Sequence, residues 1–457
     1  MAEDSPSSTA SPEALDRLVT ELRGEVFTPG DAEFASELSG FNLIARHRPA
    51  LVVQAAGAGD VSATVRYAAA RGLPVAVQAT GHGIAAPADG GVLISTRRMN
   101  AVTVDPATRT ARVEAGARWH QVIAAAARHG LAPLNGSSDQ VGVVGYTLGG
   151  GLGPLGRRYG WAADHVTSAH LVTADGASLE VSADRHRDLF WALRGGKGAF
   201  GVVTALEFRL MPVERLYGGG IHFPAESAAP LLRAWRDWTE RVPDAMTSSF
   251  ALLRLPDVAT VPEFLRGRLT AHLRIAFTGS PEEGERLLRP LRAVGPAIED
   301  QVRDMPYSAV ADIHRDPTEP LAYHERNVVL AELDDGAVAR LLALAGQDSG
   351  CQDLMVELRH LGGALARPPA EPNAVGVRDG AFTLSTLSPP NHPDRVPHRM
   401  APWGTGRGYL NFFAGPDTAD AARDCFPPET HARLSALKDR YDPGNLFRFG
   451  HTVHGRA

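Results

Sequence analysis

Apolar residues recur along the chain with two spacings, the continuous or alternating runs typical of strands and the three-to-four-residue repeat typical of helices. Residues 50–78 show both spacings. ALVVQ predicts a buried strand, VSATVRYAAARG predicts a helix that begins at the N-cap Asp60 and ends at Gly72, and PVAVQ predicts a second strand. This succession favours a strand–helix–strand crossover unit.

The mixture of helices and strands continues to Pro212. GVLIST, AVTVD and TARVEAG predict short strands, of which the last two pair, and residues 118–129 predict a helix. Asp175 and Gly176 predict the turn of a hairpin. A short helix over residues 184–193 and the strand GVVTALEFRL follow, and we place a domain boundary after residue 212.

A second series of helices and strands occupies residues 213–404. It includes the helix AAPLLRAWRDWTERV and the strands RLTAHLRIAFTG, DLMVELRH and AFTLSTL. Residues 405–457 contain a strand-like YLNFF and a helix over residues 428–441. Residues 1–12 are rich in Ser, Ala and Pro and predict a disordered N-terminus. The pattern as a whole predicts an α+β protein of two domains.

Composition excludes several classes of protein. With 457 residues, 44% of them hydrophobic and 21% charged, the chain is globular rather than fibrous or wholly disordered. Its 46 basic and 52 acidic residues give a net charge of -6 without a basic tract, so nucleic acid is not an expected partner. No signal peptide and no membrane-spanning apolar run are visible, so we expect a cytoplasmic protein that does not bind a membrane.

Cysteine and histidine spacing argues against metal sites and disulfides. Cys351 and Cys425 are the two cysteines, far apart and outside any CxxC motif, which disfavours a disulfide scaffold and a thiolate zinc site. His82 stands between two glycines in ATGHG, directly after a predicted strand, and has no partner at HxH or HxxxH spacing. We therefore expect no metal.

Glycines concentrate in residues 142–156, GVVGYTLGGGLGPLG, where we expect little regular secondary structure. Such a segment lets backbone N–H groups approach an anion closely, as phosphate-binding loops require. Residues 151–156 match GxGxxG, but no clear strand precedes them and Asp175 falls in a hairpin turn, which disfavours a Rossmann site. A flexible loop without a ligand is the other alternative.

Four separated segments together resemble one family. PVAVQATGHG, GYTLGGGLGPLGRRYGWAADHV, DLFWALRGGKGAFGVVTALEFRL, and YLNF with YDPGNLFRF occur in the order and spacing of the berberine-bridge-enzyme-like flavoprotein oxidases, whose FAD-binding fold is of the PCMH type. The resemblance implies a discontinuous FAD domain, made of residues 13–212 and 405–457. A substrate domain with an antiparallel sheet would occupy residues 213–404.

The same resemblance implies FAD bonded covalently to His82. Many relatives add a thioether from a cysteine, but Ser138 stands at that position here, so one covalent link is expected. Val141 falls at the oxygen gate and favours reaction of reduced flavin with O₂. The implied cofactor contacts are Thr80, Gly81, Gly83, Ile84, Ser138, Val141, Gly142, Gly145, Tyr146, Gly149, Gly150, Gly198, Val202, Val203, Asn445 and Phe447. Ala199, Gly450 and Thr452 replace asparagines frequent in the family.

For the reaction, the resemblance implies an oxidase of small secondary metabolites. Tyr409 of the Y-x-N motif would take a proton from an alcohol or similar group beside Asn411, hydride would pass to flavin N5, and O₂ would reoxidise the flavin. The expected partners are a small-molecule substrate and O₂, in a monomer or homodimer. Alternatives are an oxidative cyclase, desaturase or oxygenase, and a non-catalytic binding protein. Arg378 and His360 could line the pocket, although an exposed charge and a strand histidine with satisfied hydrogen bonds are the simpler interpretations.

Overall fold

Three β-sheets organise the chain in a computed structural model that describes residues 12–392, 396–451 and 453. The first sheet contains β1 (Glu25–Phe27), β2 (Leu51–Gln54), β3 (Val75–Gln78) and β4 (Val92–Ser95). The second contains β5 (Val102–Asp105), β6 (Thr110–Glu114), β7 (Val166–Val172), β8 (Ser178–Ser182) and β9 (Val202–Arg209). The third contains β10 (Arg215–Pro224), β11 (Met246–Arg254), β12 (Leu269–Phe277), β13 (Glu299–Asp300), β14 (Arg303–Pro306), β15 (His324–Leu330), β16 (Met355–His360) and β17 (Phe382–Ser388).

Twelve α-helices lie in these described ranges. They are α1 (Pro12–Glu21), α2 (Phe34–Leu38), α3 (Ala58–Ala69), α4 (Trp119–Ala127), α5 (Val143–Leu148), α6 (Gly156–Tyr159), α7 (Arg187–Leu193), α8 (Ala228–Thr239), α9 (Pro281–Arg292), α10 (Asp335–Ala345), α11 (Val396–Met400) and α12 (Pro428–Tyr441). Within the described part of the chain, none of them combines the length and the apolar character needed to cross a membrane. Pro12 begins α1, and residues 1–11 of the predicted disordered terminus lie outside the described residues, as does Thr452.

The first sheet has the order β1-β2-β4-β3, with β2 and β3 both parallel to β4. The predicted crossover unit is therefore present, but β4 lies between its two strands. Helix α3 begins at Ala58, so Asp60 is inside the helix and is not its N-cap, contrary to the sequence prediction. The buried Asp60 carboxylate instead accepts hydrogen bonds from the backbone N–H groups of Arg23, Gly24 and Ala56.

The second sheet is antiparallel, in the order β5-β6-β9-β7-β8, and it confirms the predicted hairpin between β7 and β8. The glycine-rich segment that begins at residue 142 has more regular secondary structure than predicted, since it contains α5 and the start of α6. The helices form here because Val143, Val144 and Leu148 are buried in the core of the second sheet. Burial of this apolar face compensates for the low helix propensity of the neighbouring glycines.

The third sheet is antiparallel throughout, with the order β13-β10-β12-β11-β16-β17-β15 and β14 paired to β10. All eight strands lie between residues 213 and 404, as expected of an α+β substrate domain. Helices α8 and α10 pack through Trp235 and Leu341 into the core of this sheet. The domain boundaries themselves stay predictions.

The C-terminal segment returns to the first half of the chain. Helix α12 packs on α7, and Val75 donates its backbone N–H to Leu446 O at 2.8 Å. Lys438, which is 2% exposed, donates from Nζ to Ala199 O at 2.8 Å and to Phe447 O at 3.1 Å, and its charge is neutralised by Asp442 at 2.5 Å. The C-terminal segment thus packs on the first half of the chain, as the expected discontinuous first domain requires.

Candidate active site

A deep cleft is lined by residues from the first two sheets on one side and by β15, β16 and β17 on the other. Its empty volume is about 2260 Å³, including the part open to solvent. The predicted site residues that line it are Thr80, Gly81, His82, Gly83, Ile84, Ser138, Val141, Gly142, Gly145, Tyr146, Gly198, Val202, Val203, Asn411 and Phe447.

His82 lies in the loop after β3 with its imidazole in the cleft. The ring stacks on Phe41 with centroids 4.0 Å apart, and Nδ1 is 2.9 Å from the Thr80 hydroxyl. Nε2 is buried and has no hydrogen-bond partner among the described residues. Burial, assisted by the charge of Arg118, lowers the pKa of His82 to about 4. The imidazole is therefore neutral at pH 7 and keeps one nitrogen lone pair, as attack on an electrophilic carbon requires.

The backbone around His82 provides donors for an anion. The N–H groups of residues 80–84 donate to no other group in the described part of the chain. Gly81 makes this path possible, because its φ is +70° and a Cβ there would lie 2.6 Å from Gly40 Cα. A row of unpartnered N–H groups suits a diphosphate, so the loop combines a nucleophilic ring with an anion-binding backbone.

No thiol accompanies His82 in the cleft. Ser138 lines it, with its hydroxyl accepting from Gln140 N–H at 3.2 Å. Cys425 lies outside, with Sγ 3.1 Å from Ala421 O, and Cys351 lies 3.4 Å from an Asp353 oxygen. The residues present fit a flavin nucleotide attached at one point.

Lys197 brings an amine into the cleft from the first half of the chain. Its φ of +58° lies in the left-handed region, which costs a non-glycine residue about 1 kcal/mol. Its Nζ has no hydrogen-bond partner among the described residues, and burial lowers the pKa of Lys197 to about 8. The amine is therefore free to exchange a proton or to contact a ligand near neutral pH.

Glu325 and Arg359 enter the same cleft from β15 and β16. Burial raises the pKa of Glu325 to about 8, although the charges of Arg359 and Lys197 oppose this shift. Arg359 donates from Nε to Glu357 at 2.8 Å, and its Cζ lies 4.8 Å from the centroid of the Phe412 ring. The cleft therefore contains a carboxyl group that titrates near neutral pH beside a fixed guanidinium.

Tyr409 is not among the residues that line the cleft, and its role as the base stays a prediction. Its ring packs against Trp161 and Phe412, and its hydroxyl accepts from Gly151 N–H at 2.9 Å and from Asn411 Nδ2 at 3.0 Å. Burial raises the pKa of Tyr409, which is opposite to the shift that a base needs. YLNFF is a 3₁₀ turn over Leu410–Phe412 rather than a strand, and this turn brings Phe412 and not Tyr409 to the cleft.

Three other predicted contacts also lie outside the cleft. Gly149 packs so closely that a Cβ would lie 2.0 Å from Asn411 Oδ1, and Gly150 packs between Trp161 and Tyr409. Asn445 closes the turn after α12 through its N–H bond to Asp442 O. These residues are needed for close packing and for a turn, which a motif does not distinguish from ligand contact.

His360 and Arg378 are not among the residues that line the cleft, and neither fits the simpler interpretation. Nδ1 of His360 is buried without a hydrogen-bond partner among the described residues, and the Arg378 side chain is 17% exposed. His360 Nε2 lies 3.0 Å from Arg157, and Arg378 forms an ion pair with Asp164 at 2.5 Å. Sequence reasoning missed Lys197, Glu325 and Arg359. The one signal was GGKG, in which a lysine stands among glycines.

Comparison with known proteins agrees with this geometry. A family model described as "FAD binding domain" matches residues 49–182. The (R)-6-hydroxynicotine oxidase of Paenarthrobacter nicotinovorans is 30% identical over 94% of this chain and 97% of its own length. The chain belongs to the berberine-bridge-enzyme-like FAD-linked oxidases.

Solved structures show the same fold. The crystal structure of 6-hydroxy-D-nicotine oxidase from Arthrobacter nicotinovorans superposes with a TM-score of 0.78 at 26% identity, covering 94% of this oxidase and 98% of that chain. The glucooligosaccharide oxidase of Acremonium strictum, which carries a 6-S-cysteinyl, 8α-N1-histidyl FAD, gives 0.80 at 20% identity, covering 97% and 100%. This protein is thus an FAD-dependent oxidoreductase that acts on small molecules with O₂.

Proposed function

We propose that the oxidase holds FAD through a single covalent bond to His82 and oxidises an alcohol or similar group of a small secondary metabolite. The observation that carries this proposal is the neutral His82 imidazole, with its unpartnered Nε2, beside the free N–H groups of residues 80–84. The cleft-lining glycines and valines already named would contact the flavin, with Val141 beside the path of O₂. A monomer or homodimer in the cytoplasm stays a prediction.

When bound, FAD supplies a two-electron acceptor for a substrate C–H bond and passes the electrons to O₂. The residues of the chain bind and orient the substrate and remove its proton. Glu325 is the best-placed acceptor, because its carboxyl group faces the cleft without a hydrogen-bond partner among the described residues and ionises near neutral pH. An alcohol O–H or an amine N–H would give its proton to this carboxylate as the carbon is oxidised.

Two variants test the attachment. His82→Ala should leave FAD removable by acid precipitation, because the attacking nitrogen is gone. His451→Ala is the matched control, since His451 also lines the cleft with a buried and unpartnered Nε2. In His451→Ala, the yellow flavin should stay with the precipitated protein. A His82→Ala pellet that remained yellow would disprove this link.

Tyr409→Phe tests whether the Y-x-N tyrosine is the base. Because its ring lies outside the cleft, anaerobic flavin reduction should stay within about threefold of the parent rate, far below the ~10²-fold loss of a general base. The unfolding free energy should fall by about 1–3 kcal/mol, since Gly151 N–H loses its acceptor. Stopped-flow absorbance and urea unfolding measure the two effects. A hundredfold slower reduction would restore Tyr409 as the base.

A further inference from the structure

We propose that Arg359 forms a carboxylate-binding subsite in the cleft, so that the oxidase acts on small acids with an apolar body. This inference rests on the proposed function, because it places the substrate in the same cleft as the flavin. It adds a substrate class that the family resemblance does not supply.

The charges around Arg359 favour binding of an anion. Glu357 is fully buried and accepts from Ser249 Oγ at 2.8 Å, from Arg274 Nη1 and from Arg359 Nε. Although burial opposes ionisation, the two arginine charges hold the pKa of Glu357 well below its ordinary value. One carboxylate thus faces two guanidinium groups, which leaves one positive charge for a ligand.

The guanidinium of Arg359 is held in a fixed orientation by its neighbours. Nε is held by Glu357, the Arg359 plane lies over the Phe412 ring, and Nη2 has one long contact of 3.5 Å to Ser137 Oγ. Nη1 has no hydrogen-bond partner among the described residues, although the Arg359 side chain lines the cleft. A planar group held in this way presents paired N–H donors that match the two oxygens of a carboxylate.

Other charged groups line the cleft and could compete with a ligand for Arg359. Glu325, Asp316 and Lys197 also line it, and none of the three carboxyl or amine groups forms an ion pair with a described residue. Since burial raises the pKa of Glu325 to about 8, its carboxyl group is mostly protonated at pH 7. Above that pH, ionised Glu325 would repel a bound carboxylate. Asp316 interacts electrostatically with Arg359 but forms no ion pair with it, so the Arg359 N–H donors stay available to a ligand.

The walls near Arg359 define the rest of the ligand. Met355 stands four residues before Arg359 on the same face of β16, and Leu387 on β17 and Phe412 also line the cleft. These side chains offer apolar surface beside the Arg359 guanidinium. An aromatic or aliphatic acid fits this combination better than a sugar, whose many hydroxyl groups need several polar partners.

Benzoate and benzamide form a matched pair of probes, equal in size and different in charge. Isothermal titration calorimetry of the holoenzyme at pH 7 should show benzoate binding about tenfold or more tightly than benzamide, because a hydrogen bond to a charged group is worth roughly that factor. Arg359→Gln should remove this preference and leave benzamide affinity within about twofold. Arg359→Lys should keep part of the preference.

Lys197→Gln is the control for the other cation of the cleft and should weaken benzoate less than Arg359→Gln does. The covalent flavin content of each variant reports whether the chain has folded. Equal binding of both probes by the parent enzyme, or a benzoate preference that survives Arg359→Gln, would overturn the inference. If either of these binding results is found while flavin is still attached at His82, the Arg359 subsite is wrong and the proposed function is unaffected. If flavin is missing from His82, the proposed function is contradicted instead.

Discussion

Glu325→Gln should slow anaerobic flavin reduction by about 10²- to 10⁴-fold, the range of a lost general base. An amide cannot accept the substrate proton, whereas the shape of the side chain and its place on β15 are retained. Stopped-flow measurement with a substrate found by flavin bleaching gives the rate. Asp316→Asn is the matched control, because it neutralises another carboxylate of the same cleft. Its loss of rate should be much smaller.

The pH profile gives a second readout of the same residue. At saturating substrate, the parent rate of flavin reduction should rise with pH and level off above about 8, since Glu325 must lose its proton to act as a base. Arg359 and Lys197 lower the pKa of Glu325, whereas Glu357 and Asp316 raise it. Lys197→Met should therefore move the rise to higher pH, and Glu325→Gln should remove it. An unchanged rise in Glu325→Gln would assign the proton transfer to another group.

Lys438→Met should cost about 3–5 kcal/mol of unfolding free energy, because it leaves the Asp442 carboxylate buried without its counter-ion. Lys438 also holds Ala199 O and Phe447 O, so its loss detaches the C-terminal segment from the cleft. Urea unfolding measures the change. The double variant Lys438→Met with Asp442→Asn should recover part of it, since no buried charge then remains unpaired.

Arg440→Ala is the surface control for this ion pair. Its guanidinium is exposed and pairs with Asp188 at 2.9 Å, so its removal should cost about 0–1 kcal/mol. A Lys438→Met protein as stable as Arg440→Ala would show that the buried pair does not hold the C-terminal segment in place.

Local sequence patterns predicted the parts of the fold that depend on local chemistry. The strands at residues 51–54 and 75–78 and the hairpin at Asp175 and Gly176 are present. The antiparallel sheet of the second domain, which the family resemblance implied, is present as well. The loop at His82 was also predictable. Its Gly-His-Gly sequence requires an unusual backbone path, and that path leaves N–H groups free.

The errors arose where long-range packing decides the outcome. Asp is a residue type favoured at helix N-caps, but the Asp60 carboxylate accepts hydrogen bonds from three backbone N–H groups outside α3. YLNFF has the pattern of a strand, but it forms a 3₁₀ turn that directs Phe412 into the cleft. Glu325 lies on an ordinary strand, and its pKa is raised by burial against residues distant in sequence, together with the charges of Glu357 and Asp316.

Mass spectrometry of proteolytic peptides tests the attachment of the cofactor most directly. The peptide that contains His82 should carry the mass of one FAD, and no peptide from another part of the chain should carry it. Flavin found on a different residue, such as His451, or a protein that binds FAD without any covalent bond, would contradict the proposed site.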